Sequence, residues 1–276
     1  MRVYALAVYL FLYIPIGVIA VFSFNAGRYA AQMQGFSTQW YGKALSNPFV
    51  MEAFQTSATV AAVSALVATV AGTMAALALQ GVAGKPRLIF DALLYIAVMV
   101  PGIVIGISTL IALVSLFDWL NPMIASVWPV ADTAPQLQLG MGTLIAAHGL
   151  FAMALVVIIV RARVAGMDRS LIEASADLGA TPFGTFRQVT LPQIFPAILA
   201  GFLLSFTFSF DDFIIAFFVA GSETTLPIYV FSSIRRGVTP EINAIGTIVL
   251  AGSLVMLIIA QTILQRGARR AKADTA

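Results

Sequence analysis

Two adjacent carboxylates, Asp211 and Asp212, stand inside an apolar run that extends from residue 196 to residue 221. A carboxylate at the middle of a membrane span costs about 2.5–3.5 kcal/mol on insertion scales, so a pair of them requires a wet or paired setting. Counted from Pro196 at 1.5 Å per residue, the pair falls about 22–24 Å along a helix, in its outer third. As one helix, the run places Gly201, Ser205, Ser209, Asp212 and Ala216 on a narrow face, with Asp211 turned about 100° away. Two kinds of chemistry suit this stripe. In one, small and hydroxyl residues let neighbouring helices approach, and Asp211 pairs with an arginine elsewhere. In the other, Asp212, Asp211 and Ser209 line a path for a cation such as an amine, and Glu223 extends the negative lining just beyond the run.

Other groups offer less. His148 is the only histidine and there is no cysteine, so the usual zinc sets, disulfides and thiol catalysis are excluded; a histidine hydrogen-bonded between helices is the natural reading. Gly84-Lys85-Pro86 lacks the earlier glycine and the following Ser or Thr of a phosphate loop. No Ser-His-Asp set or nucleophile elbow is present, which argues against catalysis within this chain. Gly102 and Gly106 form GxxxG, a helix-contact pattern that names no partner.

The elements that must position these groups are membrane spans. Hydrophobic residues make up 60% of the chain and charged residues 10%, against about 25% charged in a soluble domain. Six windows reach the roughly 20 apolar residues that a span needs, at 5–24, 56–80, 89–117, 141–160, 196–221 and 243–264. The expected fold is therefore all-α, polytopic, with six transmembrane helices in a single domain covering residues 1–276. The third window is longer than a bilayer requires, and Pro101 with Gly102 and Gly106 predicts a kink or break in it. Only Met1-Arg2 precede the first apolar run, which is longer than a signal-peptide core and reads as a retained span.

Basic residues orient the chain. Arg2, Lys85, Arg87, Arg161, Arg163, Arg169, Arg187, Arg266, Arg269, Arg270 and Lys272 fall on one side, and Arg28, Lys43, Arg235 and Arg236 on the other. The positive-inside rule then puts both termini in the cytoplasm. The same clustering at membrane edges accounts for the net charge of +3 without nucleic acid. Outside, Phe36, Trp40, Tyr41, Ala44 and Leu45 recur at helical spacing after a Ser37 cap, as in an amphipathic helix at the interface with lipid. Trp40 reads there as a membrane anchor or as an aromatic face for a cation. Residues 118–140 lack Lys and Arg and carry Pro122, Pro129 and Pro135, which predicts an irregular or re-entrant external segment.

Between the fourth and fifth windows lies a cytoplasmic segment, about 165–192, too polar for lipid. Ser170 and Glu173 fit a capping box, Leu171, Ala174 and Leu178 share a face, and Gly179 supplies a stop. Thr181 with Pro182 starts a second helix, and Leu191-Pro192 closes the unit.

The pattern Glu173-Ala174-Ser175, Gly179 and Val189-Thr190-Leu191-Pro192 resembles the EAA loop of ABC importer permeases, with Ser175 in place of Ala and Val189 in place of Ile. Most of residues 20–255 is similar to the second inner-membrane permease of spermidine/putrescine ABC importers. The matching segments are Ser23-Phe24-Asn25, Phe36-Ser37 to Trp40-Tyr41, Ser209-Phe210-Asp211-Asp212, and Leu226-Pro227 through Val238-Thr239-Pro240-Glu241-Ile242-Asn243-Ala244. Residues 118–140 are the least similar part. The resemblance implies a type I importer permease of the bacterial inner membrane that passes polyamine from a periplasmic binding protein to the cytoplasm. It also implies a second permease subunit, two ATPase subunits that hold the ATP and Mg, and no cofactor in this chain. A permease for another small solute and an ion-coupled secondary carrier are the alternatives; the carrier leaves the segment from Glu173 to Pro192 without a role.

Overall fold

The computed structural model describes residues 2–29, 32–168 and 170–273. Arg169, used above for orientation, and the terminal Ala276 lie outside them. Twelve α-helices are formed among the described residues: α1 Arg2–Phe22, α2 Gln39–Ser46, α3 Pro48–Ala78, α4 Lys85–Met99, α5 Gly102–Val127, α6 Met141–Ala165, α7 Ser170–Asp177, α8 Pro182–Thr185, α9 Leu191–Asp211, α10 Ile214–Val219, α11 Leu226–Ile234 and α12 Pro240–Ala273. Six stretches are long and apolar enough to cross a membrane: Tyr4–Phe22, Pro48–Gly81, Gly102–Val127, Met141–Ala165, Pro182–Asp211 and Pro240–Ile258. The protein is an all-α polytopic membrane protein.

Two of these, the third and the fifth, differ from the sequence windows for local reasons. The third window breaks at Val100, whose extended backbone (ψ 131) is what a following proline imposes, so the span is α5 rather than 89–117. Helix α5 then continues through Asp118 and Pro122 to Val127, well into the segment expected to be irregular. Asn121 ties down the remainder: its side chain accepts from the Leu137 N–H at 2.8 Å and donates to the Leu137 carbonyl at 3.1 Å. The fifth span runs from Pro182 to Asp211 and stops ten residues before the window did.

The chain divides into two compact units, residues 1–55 with 224–263, and residues 56–223 with 264–276. In the first, Asn25 is the knot. Its side chain accepts from Gly27 and Gln34 and donates to the carbonyls of Tyr29 and Gln32, while its own carbonyl accepts from the Trp40 indole at 2.8 Å. Elsewhere in this unit, Asn47 at the end of α2 donates to Glu241 Oε1 at 3.0 Å and to the Tyr229 hydroxyl at 3.3 Å.

The second unit is built on α6, which packs along α9 and also meets α4, α5 and α10. Its core joins Ala68 and Ala76 of α3 and Leu94 of α4 to Ala152, Val156, Val157 and Val160 of α6. Small residues set the spacing. A Cβ on Gly72 would fall 2.8 Å from Val156 Cβ, and one on Gly106 would fall 2.7 Å from the Phe218 ring. The partner of the GxxxG pattern is thus α10, which follows the fifth span.

Gly221 closes the turn after α10 with φ +59, and a Cβ there would lie 2.3 Å from the Leu139 carbonyl oxygen, a backbone atom that cannot swing aside. Gly221→Ala combines that clash with a strained dihedral of about 1–3 kcal/mol. We expect it to lower the thermal unfolding midpoint in detergent by several degrees. Gly42→Ala, on a helix with open space around it, is the control and leaves the midpoint unchanged or slightly higher.

Candidate substrate path and coupling segment

The paired acids do not share a helix. Helix α9 ends at Asp211, and Asp212 adopts an extended backbone (φ −71, ψ 121). Its carboxylate then turns forward and accepts from the N–H groups of Ile215 at 2.9 Å and Ala216 at 3.1 Å, capping α10. This corrects the reading of 196–221 as one helix with Asp212 on its polar face. Gly201, Ser205 and Ser209 are buried as that face requires, but Asp212 has left it.

Asp212 is largely enclosed, with a side chain 10% exposed and His148 Nε2 3.5 Å from its Oδ2. His148 Nδ1 lies 2.7 Å from Ser209 Oγ, which in turn accepts from Ser64 at 3.0 Å. A column of polar side chains therefore runs from α3 through α9 to α6 and ends on Asp212. Asp211 is the opposite case. It is exposed, and with Leu204, Thr207, Phe208, Asp212, Phe213 and Ile214 it lines an open hollow of about 500 Å³. It also stands at the C-terminal, negative end of the α9 dipole, where a cation is favoured. Asp211 is thus the carboxylate free to meet a ligand, and Asp212 serves the backbone.

The other residues of the expected path are placed differently. Glu223 lies beyond α10, its Cγ 4.0 Å from where a Gly140 Cβ would be, and does not line the hollow. Trp40 is buried in the first unit, its indole N–H engaged by Asn25 and its ring faced by Lys43 Nζ at 4.2 Å from the centroid. It anchors a loop with both of its binding features already used. His148 bonds Ser209 of α9 from α6, a histidine hydrogen-bonded between helices as the sequence predicts; that its other nitrogen faces an acid required the bend at Asp212.

The segment from Glu173 to Pro192 follows local rules closely. Gly179 has φ +81, its N–H bonds the Ala176 carbonyl and the Ala180 N–H bonds that of Ser175, the two bonds of a Schellman stop. Thr181 accepts from the Gly184 N–H at 3.1 Å, with Pro182 in the first turn of α8. Ser175 is more than a small substitute: its hydroxyl meets that of Thr185 at 3.0 Å and pins α7 to α8. Glu173 is exposed at the rim of a hollow shared with Gln80, Met167, Ile172 and Thr190.

Two details change. The start of α7 is held by Asp168, which accepts from the Ser170 N–H at 2.9 Å, in place of the expected Ser170–Glu173 box. Bonds from the Ser170 hydroxyl and N–H keep the Asp168 carboxyl below its ordinary value. Leu191-Pro192 does not close the unit either. A turn of π-helix, Phe186–Thr190, lets the chain absorb the missing Pro192 N–H and run straight into α9. Ala174, Leu171, Leu178 and Phe183 are exposed, the last two at 88% and 71%, on an otherwise polar hairpin.

Six spans, an acid in a broken fifth span and a capped two-helix hairpin feeding directly into that span define a solute permease in class. A model of the family described as binding-protein-dependent transport system inner membrane component matches residues 68–272, and the chain belongs to that family. It is 38% identical over 258 residues to the spermidine/putrescine transport system permease protein PotC of Escherichia coli (strain K12), covering 93% of this chain and 90% of that one. It is also 38% identical over 267 residues to the putrescine transport system permease protein PotI of the same strain, covering 94% and 89%. The PotC protein of Haemophilus influenzae is 35% identical over 260 residues, 94% of each chain. Among solved structures, a bacterial ABC transporter that imports the acidic polysaccharide alginate superposes with a TM-score of 0.71 at 15% identity, over 98% of this chain and 94% of that one. The MetNI methionine ABC transporter in an inward-facing conformation gives 0.59 at 16% identity, over 80% and 99%. The fold is that of a type I ABC importer permease.

A left-handed glycine at the hairpin predicts a graded series. With no atom within 4 Å of its Cβ position, Gly179 is constrained by its dihedral alone. Gly179→Asn, which tolerates that conformation, should keep transport near the parent rate, whereas Gly179→Val should cut it about tenfold or more at equal expression. Equal rates for the two variants in an uptake assay remove the dihedral from the coupling argument.

Proposed function

We propose that this chain is one of two permease subunits in an ATP-driven importer that carries polyamines from a periplasmic binding protein to the cytoplasm. The observation that carries the reading is Asp211, an exposed carboxylate at the negative end of a broken span, beside Phe208, Phe213 and Leu204. An ammonium group pairs with such an acid, and the methylene chain of a polyamine lies against such apolar walls. The relatives that bear polyamine names support the same substrate class. Nothing in the pocket calls for a sugar or an anion.

ATP and Mg belong to two separate ATPase subunits in this reading, and this chain supplies the lever. The exposed Leu171, Leu178 and Phe183 give an ATPase an apolar surface, and Glu173 a polar contact, on a hairpin whose halves are locked by Ser175 and Thr185. Because Leu191 and Pro192 continue the hairpin into α9, a push on the hairpin reaches Asp211 along one rod. The basic-residue asymmetry supports a cytoplasmic position for the hairpin and both termini.

The test is reconstitution in liposomes of the complex of this chain with a second permease, two ATPases and a binding protein. ATP-dependent uptake of spermidine or putrescine is expected, and Asp211→Asn should raise the KM about tenfold while Asp211→Glu stays near the parent value. Full uptake by Asp211→Asn sinks the cation role, and uptake by this chain alone without ATP sinks the importer reading. Topology has its own check, because the chain has no cysteine. A cysteine at Gln136 should react with an impermeant thiol reagent from outside intact cells, and one at Ala174 only after the inner face is opened.

A further inference from the structure

The column of side chains behind Asp212 has no assigned role, and its hydrogen bonds have a direction. The one Ser64 hydroxyl hydrogen is shared between Ser209 Oγ at 3.0 Å and the Ala61 carbonyl of its own helix at 3.3 Å; with Ser209 Oγ accepting the shorter of the two, its own hydrogen is free to go to His148 Nδ1, 2.7 Å away. That places the imidazole proton on Nε2, which faces the Asp212 carboxylate at 3.5 Å. The opposite tautomer would point a lone pair at a carboxylate. All three side chains are enclosed, with His148 2% exposed, Ser64 0% and Ser209 4%. At 3.5 Å the Nε2–H is too far for a full hydrogen bond, and Nε2 has no other partner among the described residues. Its dipole is therefore directed at one carboxylate and nothing else.

Asp212 in turn decides where the fifth span ends. The residues on either side, Phe206 to Phe210 with only Thr207 and Ser209 polar, and the wholly apolar Phe213 to Val219, are helical up to Asp211 and again from Ile214, so the cap at Asp212 is the only polar interruption between them. Asp212 makes this break by capping Ile215 and Ala216. In an unbroken helix, residues 214 and 215 would rise one turn above position 211 and cover it. The break turns α10 towards α5, where Gly106 makes room for Phe218, and leaves Asp211 open in its hollow.

We infer that His148, oriented by Ser209 and Ser64, is a positioning residue for cation selection. It holds the Asp212 carboxylate in the capping position and so keeps the neighbouring Asp211 exposed to the substrate ammonium. The inference deepens the polyamine reading and, for its transport consequence, rests on it; its geometric content does not.

The experiment uses the assembled transporter and two readouts. For geometry, Asp211→Cys introduces the chain's single cysteine, and its labelling by a cationic methanethiosulfonate reagent is followed by the mass of this chain. His148→Ala in that background should slow labelling several-fold, and His148→Gln, whose amide can present an N–H near the Nε2 position, should restore it. For transport with Asp211 intact, His148→Ala should raise the KM for spermidine about tenfold, a change larger than any fall in kcat, with rescue by His148→Gln. Ser64→Ala removes only the far end of the column and should shift labelling and KM the same way by a smaller factor.

Unchanged labelling in both His148→Ala and Ser64→Ala overturns the inference. So does loss of assembled complex in both variants with normal labelling of whatever assembles, which makes the column merely structural. If the parent complex carries no polyamine yet labelling responds as expected, the substrate reading falls and the positioning role stands.

Discussion

The Asp212 carboxylate is the constraint on which the functional end of this protein depends. It accepts two backbone N–H groups, receives the His148 dipole, and divides the apolar run into α9 and a short α10. A buried carboxylate survives when backbone donors and a directed side chain satisfy it, and capping is the cheapest such arrangement because it uses N–H groups that a helix start leaves unpaired anyway. The break has a second support in α5. Gly106 lets Phe218 come within reach of the backbone, and Gly102 approaches Ile214, so α10 has a seat as well as a starting signal. Cap and seat are separated by six residues in one case and by more than a hundred in the other, yet they fix the same turn.

This arrangement explains what was readable from the residues and what was not. The hairpin was legible because its rules are local: Gly179 can stop a helix, Thr181 can cap one and Pro182 can open one, each within a few positions of its partner. The six spans were legible for the same reason, since length and apolarity are properties of a window. The break at Asp212 was not, although Asp three residues before a buried Ile is a cap signal, because an uninterrupted apolar run outweighs one polar residue in any window average. The partners of Trp40 were not legible for a related reason. An aromatic residue near an interface has an anchoring role by default, and only the fold brings Asn25, fifteen residues earlier, under its indole N–H.

The same limits apply to the serines. A stripe of Ser205 and Ser209 on a helix reads as packing, and for contact area that is correct, as both are buried. What sequence spacing cannot give is the third element. Ser64 and His148 come from α3 and α6, 84 residues apart, and only their convergence on Ser209 turns a packing stripe into a directed chain of donors. Polar satisfaction across three helices is a tertiary fact, and its direction depends on which oxygen is already an acceptor.

The contrast between the two acids carries the functional argument further. Asp212 has its donors inside the chain; Asp211 has a hollow walled by Phe208, Phe213 and Leu204. If that hollow faced lipid, the charge would cost about 2.5–3.5 kcal/mol at a central depth, with no compensating ion pair among the described residues. The fold makes no attempt to bury or pair it. An exposed acid on an apolar helix end is therefore stable only where water or a cation reaches it, which is the interior of an assembly rather than its outer wall. In the proposed importer the α9 terminus faces the second permease subunit across an aqueous gap. There the hairpin, the turn of π-helix and α9 lead in sequence to Asp211, with Pro192 and Pro196 in the first turns of α9 on the way. The break at Asp212 is what allows this. It ends α9 at the acid and leaves α10 seated on Gly106.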